Sequence, residues 1–390
     1  MPSVLIATTH PLQPTGYARV GAVLANGLCA LGWDVSYYGY QNLAPVAKRF
    51  IHPRIRVIDV AHHTDHPESF GTEHFSNYLE ELKPDVVLLY NDILVINRFL
   101  KCIPETQKIV SYVDIVHDGE NQMLIQNITE RSSHIMVFSQ HWAKYFPSEK
   151  TSVIPHGVDT STFHVKDQKE CRRALGLPDH GFIVLNTNRN SCRKALDVTI
   201  RVFLESVGAV DDAYLFLNCN SHCPSGYDIP AIIKYECEQR GLDSTHIATT
   251  KILGMHNSGF LTDETLNSLY NASDIMINTC VGEGFGLPQL EGKVLGIPQL
   301  VNATGGLKDI CGDDAIPPIE SLHLCPGFIA HGGMMDIPDS KMFCQRLSEK
   351  YQEWQTSGTV RDVEDYTLDN KFEWTDILAK VHSLLLVLLA

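Results

Sequence analysis

Two glutamates bracket seven residues in Gly282-Glu283-Gly284-Phe285-Gly286-Leu287-Pro288-Gln289-Leu290-Glu291, directly after the apolar run Ile275-Met276-Ile277-Asn278. This pattern reads as a strand, a tight turn and a helix start, because glycine tolerates positive φ and proline suits the first helical turn. The backbone amides of Phe285, Gly286 and Leu287, and on toward Gln289, then face out of the helix start, where phosphate or sugar oxygens bind. Glu291 falls near the end of the first turn, and an acceptor-only carboxylate there can hold two vicinal hydroxyls, as in a ribose. The alternative is a glycine-rich turn with two solvated glutamates, but Glu283 sits inside the turn, where a solvated carboxylate has no reason to be. The loop is not a dinucleotide fingerprint, since Leu287 replaces its third glycine, and a P-loop is absent.

A second loop, Asn186-Thr187-Asn188-Arg189-Asn190-Ser191-Cys192-Arg193-Lys194, follows the strand-like Phe182-Ile183-Val184-Leu185 and precedes an amphipathic stretch. In an acidic chain this is a dense basic loop. Arg189 offers a planar fork and Lys194 a point charge, suited to a diphosphate whose charge grows as a sugar leaves. Thr15-Gly16-Tyr17-Ala18 opens a helix after the first strand, and Gly16 would let backbone approach a ligand as readily as it would serve a plain turn. Ser111 to Gly119 ends another strand with His117 and Asp118 together, and a histidine there can donate to a sugar hydroxyl. His62, His63, Asp65 and His66, and the run Cys219, His222, Cys223, lack the paired spacing of a structural zinc site. No Asp-x-Asp pair is present either, so basic side chains, with no metal, are expected to hold the phosphates.

These loops need strands to carry them. Short apolar runs alternate with amphipathic stretches, the pattern of βα units building a parallel sheet. Strands are expected at Val4 to Thr8, Val35 to Tyr38, Val86 to Tyr90, Ile109 to Tyr112 and Ile135 to Phe138, with helices at Ala18 to Leu31, Glu73 to Leu82 and Gln122 to Arg131. A second series has strands near Ile183 to Asn186, Tyr214 to Asn218, Ile247 to Leu253, Ile275 to Asn278 and Gln299 to Val301. The turn Pro155-His156-Gly157-Val158-Asp159 and a polar stretch after it interrupt the alternation and divide residues 1–165 from 166–370. Two such α/β domains put the carboxyl ends of their strands, and so their ligand sites, toward a common cleft.

At 390 residues, 44% hydrophobic and 20% charged, the chain suits two folded domains. A formal charge of −15 disfavours nucleic acid and anionic lipid as partners. No apolar run reaches the roughly 20 residues that span a bilayer, and the first ten residues lack the features of a signal peptide. Eleven cysteines without a repeated spacing fit buried free thiols in the cytosol.

Together these motifs resemble glycosyltransferase family 4, retaining enzymes of the GT-B fold. Glu283 to Glu291 matches its E-x7-E signature, and GKVLGIPQLVNATGGLKDI is similar to its following glycine-rich stretch, with Lys308-Asp309 where a glutamate is common. Arg189 and Lys194 match its phosphate-holding pair, Pro155 to Asp159 its N-G-V-D turn, and Phe372-Glu373-Trp374 the start of its last helix. The resemblance implies two facing Rossmann-like doubly wound domains, with a C-terminal helix, 371–390, crossing back to the first. It implies that Glu291 binds the ribose, Glu283 the donor sugar, and Arg189 and Lys194 the diphosphate, with backbone amides of Phe285, Gly286 and Leu287 beside them. His117, or Asp114 in its place, would be the first-domain sugar contact, and Gly16 the first-loop glycine. The implied reaction moves a hexose from a nucleoside-diphosphate sugar, GDP-mannose ahead of UDP-hexoses, to an acceptor hydroxyl with retention and without a cofactor. A sugar-nucleotide epimerase and a silent nucleotide-sugar-binding protein of the same fold share these features.

Overall fold

Runs such as Val4-Leu5-Ile6-Ala7 lack polar alternation, which marks strands covered on both faces. In the computed structural model, which describes residues 1–43, 47, 49–62, 69–255, 261–323, 332–361 and 370–390, they become buried parallel strands. The chain divides into two compact units, Met1–Gly157 with Leu324–Gly333 and Asp369–Ala390, and Val158–His323 with Met334–Leu368. The division falls ahead of the 165/166 border expected from sequence, and Phe163 packs against Tyr270 at 5.9 Å within the second unit.

The first unit holds seven parallel strands: Ser3–Thr9 (β1), Asp34–Tyr40 (β2), Arg56–Asp59 (β3), Val86–Asp92 (β4), Ile109–Asp114 (β5), His134–Val137 (β6) and Thr151–Val153 (β7). Their order is β3-β2-β1-β4-β5-β6-β7, so the winding reverses between β1 and β4. After β1, the Thr15 hydroxyl accepts from the Ala18 amide at 3.2 Å and caps the helix Gly16–Ala30 (α1). The C-terminal helix Trp374–Leu389 belongs to this unit and packs so closely on α1 that a Cβ at Gly27 would lie 2.4 Å from Leu378. Trp33 donates to Nδ1 of His382 at 2.9 Å, fixing the same contact. The chain leaves the unit through His156. Tyr112 gives its proton to the carbonyl of Ile154 at 2.6 Å, so it accepts from Nδ1 of His156 at 2.9 Å. Burial pushes that imidazole down to about 3 and keeps it neutral.

The second unit holds Phe182–Asn186 (β8), Ala213–Leu217 (β9), Ile252–Leu253 (β10), Ile275–Asn278 (β11) and Gln299–Val301 (β12), all parallel in the order β10-β9-β8-β11-β12. Strand Phe182–Asn186 is buried throughout, and Phe203, Leu215 and Ile277 close around it. Each such side chain contributes about 1.5–3 kcal/mol by leaving water. One expected strand is corrected: of Ile247 to Leu253 only Ile252–Leu253 is extended, and Ile247–Lys251 is a π-helical turn. Asp243 caps the preceding turn through the amides of Thr245 and His246, and Lys251 binds the carbonyl of Val210 at 2.9 Å, which holds the segment wound.

Candidate nucleotide-sugar site

In the second unit the strand order reverses between β8 and β11, and the loops leaving the carboxyl ends of strands beside such a reversal are where open α/β sheets take ligands. The loop after β8 leads through Cys192–Lys194 into the helix Leu196–Ser206 (α2). The loop after β11 leads through Gly282–Gly286 into the helix Leu287–Val294 (α3). These are the two loops singled out from the sequence. Buried amides lock them together: Asn188 donates to Asn278 at 2.9 Å, Asn278 to Gln289 at 3.0 Å and Asn186 to Thr199 at 3.0 Å. Thr279 donates to the carbonyl of Ala195 at 2.8 Å. Leaving any one of these buried groups unmatched would cost about 1–3 kcal/mol, so the loops are held rigidly.

Lys194 is buried, and its Nζ forms an ion pair and hydrogen bond with Oε2 of Glu283. The other oxygen of Glu283 lies 3.6 Å from Nη1 of Arg193, which also donates to the carbonyl of Gly282. Burial alone would raise the Glu283 pKa, but the Lys194 ammonium and Arg193 guanidinium outweigh it and hold the carboxyl at about 2. The Cys280 thiol, which burial pushes up to about 12, adds a hydrogen bond to the same carboxylate. Burial lowers the Lys194 pKa, and Glu283 offsets part of that. Arg189 stands apart. It is exposed, takes part in no ion pair among the described residues, and exerts its charge toward the thiol of Cys223 on the loop after β9. The structure thus brings Lys194 and Glu283 into direct contact and sets Arg193, which the sequence did not single out, beside them, while Arg189 lies on the exposed part of the same loop.

Glu291 lies on the buried face of α3, 2% exposed, and its Oε2 accepts from the Tyr270 hydroxyl at 2.8 Å. Nothing in the sequence tied Tyr270 to the motif; the pairing follows from the burial of Tyr270 on the helix Asp263–Ala272. Gly286 caps α3 at φ +101°, where a Cβ would lie 2.4 Å from Leu307. Phe285 is buried and Leu287 opens the helix. The row of outward amides is shorter than expected, because the Gln289 amide is spent on the carbonyl of Gly286 at 3.0 Å and Pro288 has none. The carbonyl of Glu283 accepts from Gly306 at 3.1 Å, which ties in the loop after β12.

In the first unit the reversal lies between β1 and β4. Gly16, exposed, is the first residue of α1; its neighbour Tyr17 donates to Oδ2 of Asp114 at the end of β5 and packs edge-on against Tyr90 at 5.2 Å. Burial, and then the carboxylates of Asp114 and Asp92, push the Tyr17 phenol well above its ordinary range. His117 lies beyond the strand end in a loop organised by Glu120, whose Oε1 accepts from the amides of Val116 at 2.8 Å and His117 at 3.0 Å. Burial pushes Glu120 up to about 8 in spite of those two donors. Asp118 is tied to His141 at 2.8 Å and to Tyr145 at 2.8 Å. His117 and Asp114 are therefore both held at the same end of the sheet.

Of the residues weighed as metal ligands, His63, Asp65 and His66 lie outside the described residues, as does the side chain of His62. Cys219 is buried, and His222 pairs with Asp228 at 3.3 Å. Among the described residues no group of three or more His, Cys, Asp and Glu is arranged to hold a metal. Among them, too, no helix is long and apolar enough to cross a membrane.

The architecture is that of GT-B proteins. Sucrose-phosphate synthase of Thermosynechococcus elongatus superposes over 100% of this chain and 99% of its own, with a TM-score of 0.72 at 15% identity. HepE of Anabaena, solved with UDP and glucose, covers 99% of this chain and 100% of its own at a TM-score of 0.67 and 14% identity. No protein-family model matches the chain. Among curated proteins, a D-inositol 3-phosphate glycosyltransferase of Salinispora arenicola is 29% identical over 168 residues, 40% of this chain and 35% of its own length. An uncharacterized glycosyltransferase of Methanocaldococcus jannaschii is 26% identical over 168 residues, 42% of this chain and 39% of its own. The similarity thus spans between a third and two fifths of the length of those relatives.

Proposed function

We propose that the chain is a retaining glycosyltransferase that moves a hexose from a nucleoside-diphosphate sugar to an acceptor hydroxyl. The carrying observation is the buried contact of Lys194 with Glu283, on the two loops that flank the strand-order reversal of the second unit. Arg189, Arg193 and Lys194 outnumber the single carboxylate of Glu283 there, which leaves the loops a positive excess for a diphosphate. As the glycosidic bond breaks, negative charge grows on the diphosphate and positive charge on the sugar ring. Basic groups held beside the diphosphate stabilise that state more than the bound donor. In this reading Glu283 serves the sugar hydroxyls and Glu291 the ribose.

For the donor we place GDP-mannose slightly ahead of UDP-hexoses; HepE, of the same fold, was solved with UDP and glucose. The similarity of part of the chain to proteins named as glycosyltransferases supports the reaction class. The ten described cysteines are all free, which suits a reducing compartment such as the cytosol. Incubating the protein with each nucleotide sugar, with and without candidate acceptors, tests the proposal. A new glycoside with the donor's anomeric configuration, followed by NMR, is expected. Isomerised donor without transfer would identify an epimerase, and binding without any turnover a silent binding protein.

A further inference from the structure

Lys194 meets two demands at once. The proposed function gives its ammonium to the departing diphosphate, yet that ammonium is also the partner of Oε2 of Glu283. The Glu283 side chain is only 13% exposed, and a carboxylate so placed that loses its cation is strongly disfavoured. Lys194 can give its donors fully to the diphosphate only in so far as another cation shares the Glu283 carboxylate.

Arg193 is that group by position. Its Nη1 stands 3.6 Å from Oε1, the oxygen that Lys194 does not use, and its guanidinium is anchored by donation to the carbonyl of Gly282. The backbone closes the arrangement, since the amide of Val281 donates to the carbonyl of Arg193 at 2.9 Å. A guanidinium suits the task because it stays charged and carries five donors, so it can keep one backbone bond and strengthen another to a carboxylate. The Cys280 thiol, which also faces Glu283, is neutral and supplies no countercharge.

The geometry points to Arg193 as the positioning residue that takes over the Glu283 carboxylate when Lys194 turns to the diphosphate. This rests on the reading of Lys194 as a diphosphate ligand. Without Arg193, Glu283 keeps hold of Lys194 and the diphosphate binds less well. A latch that merely held the Gly282 backbone would act without regard to the charge of residue 283.

The test is calorimetric affinity for UDP and GDP in the wild type, Arg193→Ala, Glu283→Gln, the double variant, Arg193→Lys and Lys194→Ala. Arg193→Ala is expected to weaken the tighter of the two nucleotides about tenfold, and Arg193→Lys to restore it to within about threefold. In the Glu283→Gln background, Arg193→Ala should change affinity by less than about twofold, since no carboxylate then needs a partner. A loss of the same size in both backgrounds overturns the handover and leaves a backbone latch. So does unchanged affinity in Arg193→Ala while Lys194→Ala weakens binding. Unchanged affinity in Lys194→Ala would instead remove the diphosphate reading itself, and the handover with it. Thermal unfolding checks each variant; should Arg193→Ala not fold, Arg193→Gln against Arg193→Lys carries the same comparison.

Discussion

The hydroxyl of Tyr270 donates to Oε2 of Glu291 at 2.8 Å, and both side chains are buried. The carboxylate proposed to hold the ribose is therefore oriented by a residue some twenty positions earlier in the chain. Tyr270→Phe removes that donor and should cost about 1–3 kcal/mol of stability, read by urea unfolding. It should also weaken nucleoside diphosphates several-fold, on the order of one lost hydrogen bond. Unchanged affinity in the folded variant would detach Tyr270 from the nucleotide.

Glu291→Ala should weaken UDP or GDP and their sugars alike, because its proposed partner is the ribose common to all of them. Loss of a charge-assisted hydrogen bond corresponds to roughly tenfold to a hundredfold in affinity. An unaltered dissociation constant for the free nucleoside diphosphate would contradict the ribose assignment.

At Gly286, φ is +101° and a Cβ would come within 2.4 Å of the buried Leu307. Gly286→Ala should therefore destabilise the protein by about 1–3 kcal/mol through backbone strain and overpacking, and should lower donor affinity as α3 shifts. Chemical unfolding alongside calorimetry checks both effects. Wild-type stability in this variant would mean that the loop can relax at no cost.

Glu120 sets a pH dependence in the first unit. Its folded carboxyl, raised by burial to about 8 from an ordinary 4.5, favours the protonated form. Its contribution to stability is thus fully present below pH 4.5 and is lost as pH rises toward 8, on the order of a few kcal/mol. Glu283 has the opposite sign: its contribution is present above 4.5 and is lost as pH falls toward 2. Of these two carboxyls only Glu120 acts between pH 5 and 8, so Glu120→Gln should remove its part of the decline of stability in urea unfolding across that range, while the rise toward pH 6.5 that buried His156 contributes stays in both proteins. An equal slope in both proteins would contradict the assignment.

Much of this was legible in the sequence because it rests on spacing and on buried strands. The interval from Glu283 to Glu291, with its glycines and Pro288, fixed a strand, turn and helix that the structure contains. Other features depended on side-chain direction, which spacing does not reveal. Arg193 and Arg189 lie on one loop, but the 3-10 turn Cys192–Lys194 sends Arg193 toward Glu283 while Arg189 faces solvent. The edge strand Arg56–Asp59 escaped notice because it is four residues long with charged ends. Tyr270 and Tyr17 were unremarkable aromatics until folding set each against a carboxylate.

Donor binding should survive a chelator, since basic side chains are proposed to hold the diphosphate. Calorimetry in EDTA and in magnesium checks this, and nucleotide-sugar binding that vanishes in EDTA and returns with magnesium would contradict it.

Whether Lys194 serves the departing diphosphate is tested most directly by single-turnover transfer in Lys194→Ala, measured together with donor affinity. The chemical step should slow by about a hundredfold, as on losing one oxyanion-type donor, while the donor dissociation constant changes by clearly less. A chemical step that runs at the wild-type rate in Lys194→Ala would contradict the proposed role.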